Sequence, residues 1–248
     1  PVVAVYATFI NRAFDQVLLD AGLHRAPVTF VLDRAGVTGP DGASHHGMWD
    51  MSLLGIVPNL QIAAPRDGQR LRDLLTEALA ISDGPSVVRF PSGALPEDID
   101  SVGSVGGADI LRKADGDHIL LVAIGATAAT CLEAAAKVAD SGVDVTVIDP
   151  RWVAPLPEDL IDLARQSRAV LTVEDNTRTS GVGSRLSQFL RDASVDVPVR
   201  DCGLPHGFLG HGKRSDVQQA AGLSSAAIAN ELLALSDAVG LGQSSSES

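Results

Sequence analysis

Cysteine is nearly missing from this sequence: 248 residues contain two, Cys131 and Cys202, and neither stands in a CxxC pair. That excludes a disulfide framework and a cysteine zinc site, and it fits a reducing compartment. Both read as small buried apolar residues. Lysine is almost as scarce, with Lys113, Lys137 and Lys213 set against 16 arginines. The formal net charge of -12 leaves no basic surface to displace counterions from nucleic acid or to hold an anionic membrane. Local anion sites built on arginine forks stay open. No stretch reaches the roughly 18 apolar residues of a membrane span, and no charged-then-apolar leader is present, so the expectation is a cytoplasmic protein. The first residues, PVVAVYATF, enter a strand-like run without a methionine or polar lead-in, as if from the middle of something longer.

Apolar material is plentiful, at 45% of residues. At roughly 100 to 200 residues per domain the length allows one or two domains. Residues 1–92 alternate β-branched runs with helical patterns: VVAVYAT, RAFDQVLLDAGLH, PVTFVLD, a long loop DRAGVTGPDGASHHG, then MWDMSLLGIV, LQIAAP, DGQRLRDLLTEALAIS and SVVRF. Continuous rather than alternating hydrophobicity marks strands buried on both faces, hence a parallel sheet with helices on either side. The stretch PSGALPEDIDSVGSVGGAD is rich in Gly, Pro, Ser and Asp and predicts an element-free linker over 93–108. A second βα series fills 109–236, from HILLVAIG through AVLTVED to SSAAIANELLALSD, and residues 237–248, ending GQSSSES, read as a disordered tail. The expected fold is α/β, with two domains whose mostly parallel sheets are flanked by helices.

In open parallel sheets, ligands sit beyond the carboxyl ends of the strands. DRAGVTGPDGASHHG leaves PVTFVLD at that end, and at roughly 14 residues it exceeds the usual connection of about two to six. Its residues suit a small, anionic, hydroxylated substrate. A histidine such as His45 can give or take a proton, Asp41 can orient a hydroxyl or an imidazole, and Arg34 can grip a carboxylate or phosphate with a bidentate fork. A solvated glycine-rich connection is the alternative. His45 and His46 are not expected to share a metal, because adjacent loop side chains diverge and no HExxH or cysteine cluster accompanies them. YATFINRAFDQ places Tyr6, Phe9 and Arg12 at the first strand-to-helix junction, either as packing or as a shelf where a flat heterocycle stacks on Phe9. EDNTRTSGVGS, residues 174–184, opens a helix but is neither GxGxxG nor a Walker loop, which points to a structural or interface role.

YATFINRAFDQV, DRAGVTGPDGASHHGMWDMSLLGIVPNL, AAPRDGQRL, DGPSVVRFP, TVEDN, GVGS and GLPHGFLGHGKRSDV together resemble the carboxyl-terminal half of the 1-deoxy-D-xylulose-5-phosphate synthases. These form a branch of the transketolase-like thiamine diphosphate enzymes. The resemblance runs from Pro1 to about Ser236 and is most specific over residues 33–50. It implies a pyrimidine-binding domain lacking its N-terminal part over 1–92 and a transketolase C-terminal domain over 109–236. It further implies a thiamine diphosphate- and Mg2+-dependent transferase of isoprenoid and thiamine biosynthesis, a homodimer that condenses pyruvate with glyceraldehyde 3-phosphate and releases CO2. In that scheme Phe9 stacks on the aminopyrimidine ring while Tyr6 and Arg12 line the same corner. His45 stabilises and protonates the alkoxide that develops on the aldehyde, Asp41 bonds a substrate hydroxyl, and Arg34 holds the anionic end. The activating glutamate and the groups that bind Mg2+ and the diphosphate fall in an N-terminal part outside this chain, in cis or on another chain, so the chain alone is expected to be inactive. Ser92 stands where relatives carry Arg or Lys, a departure that bears on phosphate binding. Two alternatives remain: a non-catalytic interaction subunit with the same fold, or a thiamine-dependent transketolase-like enzyme with a different acceptor.

Overall fold

The computed structural model describes residues 1–241. Its first half builds β1 (Val2–Tyr6), a 3-10 turn over Ala7–Ala13 running into a π-helical stretch at Gln16–Gly22, β2 (Thr29–Asp33), α1 (Asp50–Leu54), β3 (Gln61–Ala63), α2 (Gly68–Ala80) and β4 (Ser86–Arg89). The second half adds β5 (Gly103–Val105), β6 (Ala108–Arg112), β7 (Ile119–Ile124), α3 (Ala128–Ala139), β8 (Val145–Asp149), β9 (Trp152–Ala154), α4 (Asp159–Arg165), β10 (Ala169–Thr177), α5 (Val182–Asp192), β11 (Val199–Leu204), α6 (Arg214–Ala220) and α7 (Ser225–Val239). The continuous apolar runs behave as their composition requires. β7, β8 and β10 are buried at every position, which only strands covered on both faces can be.

Two sheets result, in the orders β1-β2-β4-β3-β9 and β11-β10-β7-β8-β6-β5. The first four strands of each order run parallel. β9 closes the first sheet antiparallel, and β6 and β5 do the same for the second. This is the expected α/β architecture.

The expected boundaries are corrected in three places. The stretch 93–108 is not free of elements: β5 and β6 form a hairpin in which Val105 pairs with Ala108 across Gly106 and Gly107. Gly106 sits at φ +51, the left-handed conformation a tight hairpin turn demands, so a glycine pair that reads as a linker is a turn. Second, the sheet of the first half is not built from residues 1–92 alone. β9 crosses back to cover the open edge of the short strand β3, which would otherwise present unpaired backbone groups. Trp152 Nε1 fixes the crossing by donating to Glu77 Oε2 at 2.9 Å. Third, α7 does not stop at 236. It runs through Val239 to Gly240, whose φ of +70 caps it. The GQSSSES tail, residues 242–248, lies outside the described residues.

Charge is buried where the halves meet. Arg66, just past β3, donates through Nη1 to Asp109 at 2.5 Å and to Asp149 at 2.8 Å. Burial lifts the Asp149 carboxyl to about 6 against the pull of that guanidinium. Glu174, in β10, caps a helix from a distance: its two oxygens accept from the N–H groups of Val182 and Gly183, each at 2.9 Å, where the N-cap residue Gly181 has no side chain to offer. Burial pushes Glu174 up to about 7, and the two N–H donors oppose that rise. A carboxyl raised in the folded state holds its proton more tightly there, so its stabilising contribution is complete below about pH 4 and is lost as pH rises through about 7. The stability difference between wild type and Glu174→Gln, from denaturant titrations, should therefore fall by on the order of 3 kcal/mol between pH 4 and pH 8. A difference that stays flat across that window would refute the raised value.

Candidate active site

The six residues singled out from the sequence meet at the carboxyl end of the first sheet. Tyr6 ends β1 and Phe9 lies one turn on; their rings stack with centroids 5.9 Å apart and planes 17° from parallel. Each keeps 37% of its surface exposed, which leaves an aromatic shelf open on one side. The Arg12 guanidinium stands 5.8 Å from the Phe9 ring centre, and His45 meets the same ring edge-on at 5.9 Å. Arg34 follows β2 at φ +60, a region that costs a side-chain-bearing residue about 1–3 kcal/mol. The guanidinium lies over Tyr6, 4.2 Å from the ring centre, a cation–π distance. Its Nη1 reaches Asp41 Oδ2 at 3.4 Å, and its Nε approaches Asp33 at 3.9 Å. The loop and the shelf are tied where Thr8 Oγ1 donates to the Ser44 carbonyl at 3.0 Å. Ser44 Oγ also engages His45 Nδ1 at 2.9 Å, which leaves His45 Nε2 without a protein partner among the described residues.

The two adjacent histidines diverge. His46 is fully buried: its Nδ1 accepts from the Thr38 N–H and its Nε2–H donates to the Gly210 carbonyl, both at 3.1 Å. Sequence reading missed it as a strut, and it missed Asp175 and Arg214, which bind the loop backbone at Val37 from the second half. The only sequence trace of Asp175 is its place in EDNTRTSGVGS, where the structural reading proves the better one. Beside the loop, a cavity of about 770 Å³ opens at the carboxyl ends of β2 and β4, lined among others by Asp33, Arg34, Phe90, Ser92 and Arg214. Neither cysteine joins the site. Burial pushes the Cys131 thiol up, and it lifts Cys202 to about 11, so both stay protonated. Among the described residues no group of three or more His, Cys, Asp or Glu side chains could hold a metal ion, and no helix is long and apolar enough to cross a membrane.

Two parallel-sheet units with a ligand-sized crevice at their carboxyl ends are the frame of known proteins. The chain matches the transketolase pyrimidine binding domain over residues 1–97 and the transketolase C-terminal domain over residues 106–228, and it belongs to the transketolase family. Within that family it is similar to 1-deoxy-D-xylulose-5-phosphate synthases, as its motifs suggested. Identity is 57% to the synthase of Frankia casuarinae, covering 94% of this chain and 36% of that protein. It is 55% to synthase 2 of Kitasatospora griseola, covering 95% and 38%, and 53% to the synthase of Thermobifida fusca, covering 94% and 37%. The chain thus spans little more than a third of the length of these relatives. Among solved structures, a split gene transketolase described as an inactive β4 tetramer superposes with a TM-score of 0.83 at 25% identity, over 98% of this chain and 77% of that one. The transketolase of Campylobacter jejuni shares the fold, with a TM-score of 0.79 at 21% identity over 94% and 35%.

The histidine pair gives a direct test of the loop's anatomy. His46→Ala strands a buried N–H and a buried carbonyl and should lower unfolding stability by about 1–3 kcal/mol or more. His45→Ala should change it by no more than about 0.5 kcal/mol. Equal losses in chemical denaturation would show that the two side chains are not divided in this way.

Proposed function

We propose that this chain is the carboxyl-terminal portion of a thiamine diphosphate-dependent synthase that condenses pyruvate with glyceraldehyde 3-phosphate to 1-deoxy-D-xylulose 5-phosphate with loss of CO2. The observation that carries the reading is the convergence of Tyr6, Phe9, Arg12, Arg34, Asp41 and His45 at one sheet end, in a chain 53–57% identical to synthases of that name. The cofactor, when bound, supplies the carbanion chemistry. The chain's own residues bind, orient and move protons.

The half-exposed Phe9 ring fits an aminopyrimidine by stacking, with Tyr6 continuing the shelf and Arg12 closing its corner. His45 delivers a proton from Nε2 to the alkoxide forming on the aldehyde, a service worth about 10²–10⁴ in rate. Ser44 fixes the other ring nitrogen and so sets which one faces the substrate. Asp41 accepts a substrate hydroxyl, and Arg34 holds the anionic end. Their mutual contact at 3.4 Å is long for a charge-assisted bond, so both can turn to a substrate at small cost. Mg2+, the diphosphate and the activating glutamate are held outside this chain, on a diphosphate-binding part in cis or on another chain, in a cytoplasmic homodimer. This part alone is inactive. In keeping with that, the split gene transketolase chain it superposes on over 98% of its length is itself described as inactive. A second reading, a transketolase-like enzyme with a different acceptor, is favoured by one feature: the cavity offers the Ser92 hydroxyl where a base is expected.

In the enzyme assembled with its diphosphate-binding part, His45→Ala should lower kcat by about 10²–10⁴ while thiamine diphosphate affinity stays within about twofold. Unchanged turnover would remove the proton-transfer role. Ser92→Arg adds a charge-assisted contact and should lower KM for glyceraldehyde 3-phosphate by about tenfold or more. An unmoved KM would mean that the phosphate is held elsewhere.

A further inference from the structure

The loop that carries Arg34, Asp41 and His45 has little structure of its own. Three of its glycines, at 36, 39 and 42, sit at φ +77, +94 and +72. Its internal backbone bonds are confined to a turn around Gly42 and one contact between Gly36 and Gly47. Its middle is nonetheless fully buried at Val37. Both backbone groups of Val37 are taken by side chains of the second half. Its N–H donates to Asp175 Oδ1 at 3.0 Å, and its carbonyl accepts from Arg214 Nε at 2.9 Å. The other Asp175 oxygen accepts from Arg214 Nη2 at 2.7 Å and from Gln218 Nε2 at 2.9 Å, which joins β10 to α6 around the same peptide. Asp175 is 4% exposed, with every bond directed at protein. Gly36 completes the fit, since a Cβ there would overlap the Asp175 carboxylate.

Arg89 anchors the clamp from behind, donating through Nη2 to the Asp175 carbonyl at 3.2 Å and through Nε to Asp50 at 2.7 Å. The carboxylate therefore stands on a strand fixed from both halves, and it grips a loop whose own bonds reach neither backbone group of Val37.

We propose that Asp175 is a positioning residue for the candidate active site: without touching substrate, it holds Val37 in place and so sets where Arg34, Asp41 and His45 stand. The link to catalysis rests on the reading of this loop as a substrate wall. The clamp itself can be tested without that reading, by amide hydrogen exchange on the chain alone. Asp175→Asn keeps an acceptor for the Val37 N–H but turns an amide donor toward Arg214 and Gln218. It should speed exchange at Val37 and Thr38 at least tenfold while amides of β7 stay protected as in wild type. Arg214→Met removes the donor to the Val37 carbonyl from the other arm of the clamp and should reproduce the same local loss, which keeps the test valid if a variant at position 175 fails to fold.

In the assembled enzyme, Asp175→Asn should lower kcat at least tenfold while thiamine diphosphate affinity falls by far less, because Tyr6 and Phe9 are set by β1 and the turn after it and touch the loop only through side chains and the Thr8–Ser44 bond. Loop amides exchanging as in wild type in both variants overturn the clamp. Local loss of protection with kcat unchanged overturns the positioning role. An assembled wild type that makes no deoxyxylulose phosphate refutes the proposed reaction, while the exchange result still decides the clamp.

Discussion

A charge buried between two packed sheets has to meet its counter-charge where it stands, because leaving one unpaired typically costs about 3–5 kcal/mol. At the junction of the two halves Arg66 meets Asp109 and Asp149, and Arg89 joins Asp50 to the backbone of Asp175. Apolar packing alone would not select one arrangement so sharply, since it is non-directional. The core that includes Val87, Val153 and Leu186 runs through both halves and supplies cohesion; the charges supply register. Everything at the candidate site inherits that register, because its loop springs from one half and is gripped by the other.

Much of the fold was legible because its strands are covered on both faces and so read as unbroken apolar runs. ILLVAI and VTVID have no polar position to obscure them. The elements that leave no local signal depend on long-range pairing. β9 is three residues long and carries no periodicity; its partner, β3, lies about ninety residues earlier in the chain. The β5–β6 hairpin hid inside a composition that suits a linker equally well, since Gly106 and Gly107 permit a tight turn and flexible chain alike. The end of α7 leaves little trace in the sequence because the last residues before Gly240 add little apolar pattern, although Ser236 is buried and donates to the Leu241 carbonyl.

The candidate site divides in the same way. Tyr6, Phe9, Arg12, Arg34, Asp41 and His45 occupy two short stretches at consecutive strand ends, and parallel-sheet geometry alone brings such ends side by side. The divergence of His45 and His46 also followed from loop geometry, but which one turned inward did not. That choice is made by the Gly210 carbonyl, 164 residues away. Asp175 and Arg214 lie 138 and 177 residues from the peptide they bind, and no local pattern marks either as a partner of Val37.

Chemistry and fixation are thus separated along the chain, and the separation has a physical reason. A loop that must turn back on itself several times needs glycines in the left-handed region, as at positions 36, 39 and 42. Those residues also lose the most conformational freedom on ordering, with about 1–2 kcal/mol at stake per residue fixed. The loop's few internal hydrogen bonds cannot offset that loss. Buried, charge-assisted contacts from a rigid strand can, because β10 sits between β7 and β11 and is buried along its whole length. The second half contributes no residue to the aromatic shelf, yet the shelf's opposite wall stands where Asp175 and Arg214 hold it. Removing that half would take away the geometry of the site and leave its chemical groups in the chain.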